Sequence, residues 1–180
     1  MLEIEVQGAE MFNEETNEFF ESKSGTLYLE HSLISISKWE SKWKKPFMVK
    51  SPEKTSEEIL DYIKCMTINK NVDPEVYLGL NAEHLRKINQ YIDDAMTATT
   101  FPEDHSAPSR EIMTSELIYY WMFKAGIPME CEKWHINRLI TLIRVFGIKD
   151  APRRKMSKGE IMARNRELNA QRRKKYNTRG

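Results

Sequence analysis

Ser115-Glu116-Leu117-Ile118-Tyr119-Tyr120-Trp121-Met122-Phe123-Lys124-Ala125-Gly126-Ile127-Pro128 is the stretch that sets the fold class. Leu117 to Phe123 is the longest unbroken apolar run in the chain, far short of the about 20 residues a membrane helix needs. Burying each such side chain is worth about 1.5–3 kcal/mol, so the run reads as a core helix. Gly126 and Pro128 terminate it. Glu130 to Phe146 then reads as a second helix, carrying Ile136, Leu139, Ile140, Leu142 and Ile143 and stopped by Gly147. The two are expected to form a helical hairpin. Neighbours in an unbroken apolar run cannot all face inward. Some of Tyr119, Tyr120 and Trp121 are therefore expected at an exposed aromatic edge, a partner surface, since Tyr and Trp are enriched in interface hot spots.

Upstream, helical spacing recurs. Ile36, Trp39 and Trp43 share one face of a helix over 32–43, which ends before Pro46. Thr55-Ser56-Glu57-Glu58 is a capping-box pattern ahead of the stripe Ile59, Ile63 and Met66. Asp73-Pro74 opens a short helix with Val76 and Leu80, and Asn81 caps another carrying Leu85, Ile88 and Ile92. Residues 97–110 are polar and hold two prolines, the pattern of an exposed loop.

The first 30 residues read differently. Leu2, Ile4 and Val6 alternate with polar neighbours. Glu10-Met11-Phe12 and Glu18-Phe19-Phe20 flank a plausible hairpin loop at 13–17, and Gly25 to Leu29 adds a further strand, so a three-strand meander is expected. The fold class is thus mainly α with a small N-terminal antiparallel β element. Its divisions are a β meander at 1–30, a helical body at 31–149 and a C-terminal arm at 150–180.

Charge separates that arm from the rest. The net charge of +1 conceals eleven Lys/Arg against two acids from Pro152 onward, leaving 17 bases and 25 acids elsewhere. An acidic body thus carries a basic arm. Ser157-Lys158-Gly159-Glu160 caps a terminal helix running to Lys175, about 28 Å long and thinly apolar, with Ile161, Met162 and Leu168. Arg153, Arg154 and Lys155 lie at the arm's root, Arg164 and Arg166 mid-helix, and Arg172, Arg173, Lys174 and Lys175 in a run at its end. Bases near a helix C-terminus suit the macrodipole, but that accounts only for the last four. Two partners fit the remaining excess. One is nucleic acid held through phosphates, with only Tyr176 available for stacking. The other is an acidic protein surface, including the acidic body of a neighbouring copy.

Catalytic signatures are largely absent. The glycines are too dispersed for a phosphate-cradling loop, and no serine stands in a nucleophile elbow. Cys131 and His135 can share a helix face, but no CxxC or second histidine completes a zinc site; a core cysteine beside a partly exposed histidine is the simpler reading. Asp93, Asp94, Glu103, Asp104 and His105 match no cation-loop spacing and read as a solvated acidic loop. Two cysteines make no disulfide framework, and Leu2 to Val6 lacks the basic start and apolar run of a secretory signal. The expectation is a cytoplasmic, non-enzymatic binding protein without metal or cofactor.

Several strings resemble a family of small bacteriophage proteins encoded among the tail genes of long-tailed phages. They are Leu29-Glu30-His31-Ser32-Leu33-Ile34-Ser35-Ile36-Ser37-Lys38-Trp39-Glu40, Ser115 to Met122, Cys131-Glu132-Lys133-Trp134-His135-Ile136-Asn137-Arg138-Leu139, and Lys155-Met156-Ser157 through Arg179-Gly180. The likeness runs from about Thr26 onward. It implies a tail assembly chaperone acting in the host cytoplasm, with tape measure and tail tube proteins as partners and no catalytic residues. On that basis Tyr119, Tyr120 and Trp121 are expected to border a client groove, with the arm giving electrostatic capture. The alternatives are a structural virion protein of the tail or head–tail region, its arm laced into a neighbour, and a nucleic-acid-binding phage protein.

Overall fold

The protein is described by a computed structural model covering residues 1–8, 10–13, 17–49, 53–101, 111–150 and 157–177. Among the described residues helices predominate and the strands form two small antiparallel sheets near the N-terminus, so the fold is mainly α with a minor β element. The chain divides into two compact units, Met1–Gly147 and Ile148–Gly180.

The N-terminal strands differ from the expected meander. β1 (Leu2–Val6) pairs with β4 (Gly25–Leu29), and β2 (Glu10–Asn13) pairs with β3 (Glu18–Glu21). Leu2 lies opposite Leu29, Val6 opposite Gly25, Glu10 opposite Glu21 and Asn13 opposite Glu18, so one pairing offset runs through both ladders. The segment is a single long hairpin with an interruption, not three strands side by side. The cause is the core face. Leu2, Ile4 and Val6 stand across from Leu29, Leu27 and Gly25 and place matched apolar pairs on one side, which β3 with its Glu-Phe-Phe-Glu sequence cannot supply. Gly8 marks the interruption, since a Cβ there would sit 2.6 Å from the Ser22 carbonyl oxygen.

α1 (Leu33–Trp43) is the central helix. Ser32 caps it by accepting from the Ser35 N–H, and Lys44 ends it in the left-handed conformation (φ 56°), just before Pro46. Its buried face, Leu33, Ile36 and Trp39, packs against α2 (Ser56–Met66) and α4 (Ser115–Lys124). The Trp39 indole N–H donates to the Glu58 carbonyl at 2.9 Å. Glu40, 7% exposed, accepts from the Phe47 N–H at 2.7 Å and the Ser115 N–H at 2.8 Å, tying α1 to the start of α4. A buried carboxylate is tolerable only when its oxygens are satisfied in this way.

α2 opens on the expected capping box, with Thr55 and Glu58 exchanging hydrogen bonds. Its stripe is rotated from the expected one: Tyr62, Ile63 and Met66 are buried, while Ile59 remains 41% exposed. Asp73-Pro74 opens a 3-10 turn, Pro74–Gly79, burying Val76 and Tyr77. Asn81 caps α3 (Ala82–Asp93), in which only Ile88 is buried.

The helix expected over 130–146 is broken and displaced. Met129–Lys133 is a 3-10 turn, Trp134 is extended, and α5 runs Ile136–Asp150. His135 bridges to Ser32, and the Ile136 N–H donates to the His31 carbonyl at 2.7 Å. That tie to the β4–α1 junction holds the chain extended where spacing alone favours helix. Gly147 does not stop α5. It sits inside the helix, and glycine there costs only about 1 kcal/mol relative to alanine. α4 packs chiefly on α1, so the expected α4–α5 hairpin is not the main packing of the body.

In the second unit, α6 (Lys158–Tyr176) starts at the capping box formed by Ser157 and Glu160 and ends at Asn177 in the left-handed conformation. None of its residues is buried, and Ile161, Met162 and Leu168 all face solvent.

Candidate functional site

A cleft of about 590 Å³ opens in the first unit between α2 and α3. α2 contributes Ile59 and Ile63, one turn apart. α3 contributes Leu85, Ile88 and Ile92, spaced three and four residues apart, so one face of each helix lines the cleft. Ile63 and Ile88 are buried at its base, whereas Ile59 and Leu85 are 41% and 36% exposed. Those two explain why the α2 and α3 stripes are not fully covered: part of each faces this opening instead of the core. Phe47 and Met48 complete the wall. Lys54 fixes that segment, donating to the Phe47 carbonyl at 2.8 Å with its ammonium 4.6 Å from the Phe47 ring centre. Burial lowers the Lys54 pKa.

Polar groups from three elements form the floor. His31 Nδ1 and the Tyr62 hydroxyl lie 2.5 Å apart, and Phe47 stacks on Tyr62 with ring centres 3.9 Å apart. Burial, reinforced by the neighbouring His135 ring, pushes His31 down to about 3. Its imidazole is therefore neutral across the physiological range. Burial likewise pushes the Tyr62 phenol up. His135 Nδ1 accepts from the Asn137 N–H at 3.3 Å, which leaves Nε2 to donate to the Tyr91 carbonyl at 3.0 Å. Asn137 in turn donates to the Ile92 and Asp94 carbonyls at the end of α3. These polar contacts tie the β4–α1 junction to α2 and the start of α5 to α3 beneath the cleft. What remains open to a partner is mainly apolar wall, with Glu53, Asn89 and Asp93 also lining it, suited to alkyl and aromatic side chains spaced along an amphipathic helix.

The residues singled out from sequence lie elsewhere. On α4, Tyr119 is half-buried and its hydroxyl donates to Glu132 at 2.8 Å. Trp121 is half-buried against the core. Tyr120 is 56% exposed, with the Lys124 ammonium 5.9 Å from its ring centre. Phe123, which sequence reasoning passed over, is 63% exposed and stands one turn from Tyr120. None of these four lines the cleft. In the arm, Arg164, Arg166, Arg172, Arg173, Lys174 and Lys175 are all exposed on α6, whereas Arg153, Arg154 and Lys155 lie outside the described residues. Of the acidic loop, Asp94 ends α3 and accepts from the Met96 N–H at 2.7 Å, while 103–105 lie outside the described residues. Cys131 is buried as expected, but so is His135, at 4% exposure.

The cleft escaped sequence reading because its two walls are far apart in the chain, and each looks like an ordinary core stripe. The available signal was excess. Leu85, Ile88 and Ile92 sit on a helix otherwise built of Ala, Glu, His, Arg, Lys, Asn, Gln, Tyr and Asp.

Among the described residues, no group of three or more His, Cys, Asp and Glu converges to hold a metal, and no helix is long and apolar enough to cross a membrane. Comparison with known protein families, with curated proteins and with solved structures finds no match to this chain.

Proposed function

We propose that the protein is a non-enzymatic tail assembly chaperone of a long-tailed bacteriophage, which holds tape measure or tail tube protein in the host cytoplasm during assembly. The observation that carries this is the cleft between α2 and α3. Its facing isoleucine and leucine rows are spaced to take the apolar stripe of a client helix. The nature of the client rests on the likeness of the Leu29–Glu40, Ser115–Met122 and Cys131–Leu139 strings to phage tail-cluster proteins. The exposed basic helix α6 supplies a second, electrostatic contact that raises the effective concentration of a captured client. Tyr120 and Phe123 offer a further apolar edge on α4.

The test is co-expression of the tagged chain with the neighbouring tail proteins, followed by pull-down at two salt concentrations. Recovery of soluble tape measure protein is expected, with loss on Ile59→Glu combined with Leu85→Glu. Both side chains are exposed enough for the fold to survive. Undiminished recovery by that double variant would remove the cleft from the mechanism. Nuclease-sensitive nucleic acid without tail protein, or the chain itself in purified particles, would replace the chaperone reading with one of the two alternatives.

A further inference from the structure

The distal half of the N-terminal hairpin carries a face that its own structure does not explain. Phe12 and Phe19 are direct cross-strand partners, ring centres 5.0 Å apart, and are 48% and 69% exposed. The next pair on that face is Glu10 opposite Glu21, both exposed. Like charges directly across an antiparallel pair are destabilising, and neither carboxylate has an ion-pair partner among the described residues. From Glu10 to Glu21 the sequence holds five glutamates and no Lys or Arg. The proximal half of the same ribbon is anchored by Ile4, Val6, Leu27 and Leu29, but among the described residues nothing comparable covers Phe12 and Phe19, which are 48% and 69% exposed. A cationic side chain seated over the phenyl rings, with its head between the two carboxylates, would offset the repulsion and desolvate the rings together.

The chain carries a matching element. The C-terminal end of α6 presents Arg172 followed by Arg173, Lys174 and Lys175 in its last turn, all exposed, with no acid after Glu167. Arg172 and Lys175 are three apart and share a helix face. We propose that the Glu10–Phe12–Phe19–Glu21 face of one copy docks the C-terminal turn of α6 of a second copy. Each copy offers one acidic aromatic face and one basic helix end, so two copies can pair reciprocally or further copies can add head to tail through the same contact. The proposal is independent of what the cleft holds.

The full chain tests this by sedimentation velocity over a concentration series at low and high salt. Concentration-dependent association that weakens with salt is expected. Glu10→Lys with Glu21→Lys, and separately charge reversal of Arg172, Arg173, Lys174 and Lys175 to Glu, should each weaken it by about tenfold or more. An equimolar mixture of the two variants should associate again, since each then offers the partner the other lacks. Phe12→Ser with Phe19→Ser should weaken association without changing net charge, which separates the specific face from general attraction. A chain that stays monomeric at every concentration overturns the proposal, as does association that neither charge variant alters or a mixture that fails to recover.

Discussion

Helices α2 and α6 begin alike and end in opposite circumstances. Each opens on a capping box, Thr55 with Glu58 and Ser157 with Glu160, and each places acids in its first turn and bases in its last. α2 is 11 residues long and buries Tyr62, Ile63 and Met66, whereas α6 is 19 residues long and buries nothing. Local signals therefore specify that a helix forms. Whether it becomes architecture or an appendage depends on an apolar face, which α2 has and α6 lacks. The sharpest way to break the comparison is to delete one apolar side chain from each. Ile63→Ala removes a fully packed group and is expected to cost about 3 kcal/mol in urea unfolding. Leu168→Ala on α6 should change the same transition by less than about 0.5 kcal/mol. A comparable loss from both would mean that α6 is covered by something in solution.

Acid provides a second contrast, because a buried histidine belongs to the body alone. His31 has a folded value of about 3, below the ordinary unfolded value of about 6.5. As pH falls, the unfolded chain takes up the proton first, so stability is intact above about pH 6.5 and is lost progressively towards pH 3. Between pH 7.5 and pH 5 the body should lose about 2 kcal/mol from His31. His135, also lowered by burial, acts in the same direction. Glu58, held low by Lys45, adds its loss only in the carboxylate range below this window. Urea melts at pH 7.5, 6 and 5 measure the slope. His31→Gln should flatten it, and an unchanged slope would show that His31 is not the group responsible. Helicity contributed by α6 should be indifferent to pH over the same range.

How much of this was visible in the sequence follows the same division. Caps, prolines and apolar spacing located α1, α2, α3, α4 and α6 closely, because those signals act within a turn or two of the residue that carries them. The errors fall where a distant segment intervenes. His135 is extended because Ser32 pairs with it, and β4 returns to β1 because Leu27 and Leu29 match Ile4 and Leu2 across the ladder. Glu40 reads as an ordinary helix-surface acid until Phe47 and Ser115 are seen donating to it. The cleft, too, needs α2 and α3 together. By contrast, the arm was legible from charge alone, since nothing distant acts on its described side chains strongly enough to bury them.

The smallest expected effect tests the comparison most directly, because it alters the same local device in both helices. Thr55→Ala removes the acceptor for the Glu58 N–H at the start of α2. Ser157→Ala removes the acceptor for the Glu160 N–H at the start of α6. The lost hydrogen bond is equivalent in kind, and a cap of this type is worth about 1 kcal/mol. In α2 the helix is coupled to the core, so the loss should appear as about 1 kcal/mol of global stability with no change in helical content at room temperature. α6 buries none of its residues, so its own core packing does not transmit the loss. The global transition should stay where it is, while amide exchange over 158–176 accelerates and the far-ultraviolet helical signal declines slightly. Should Ser157→Ala instead lower the global transition as much as Thr55→Ala does, α6 would have to be folded cooperatively with the body, and its apparent independence would fail.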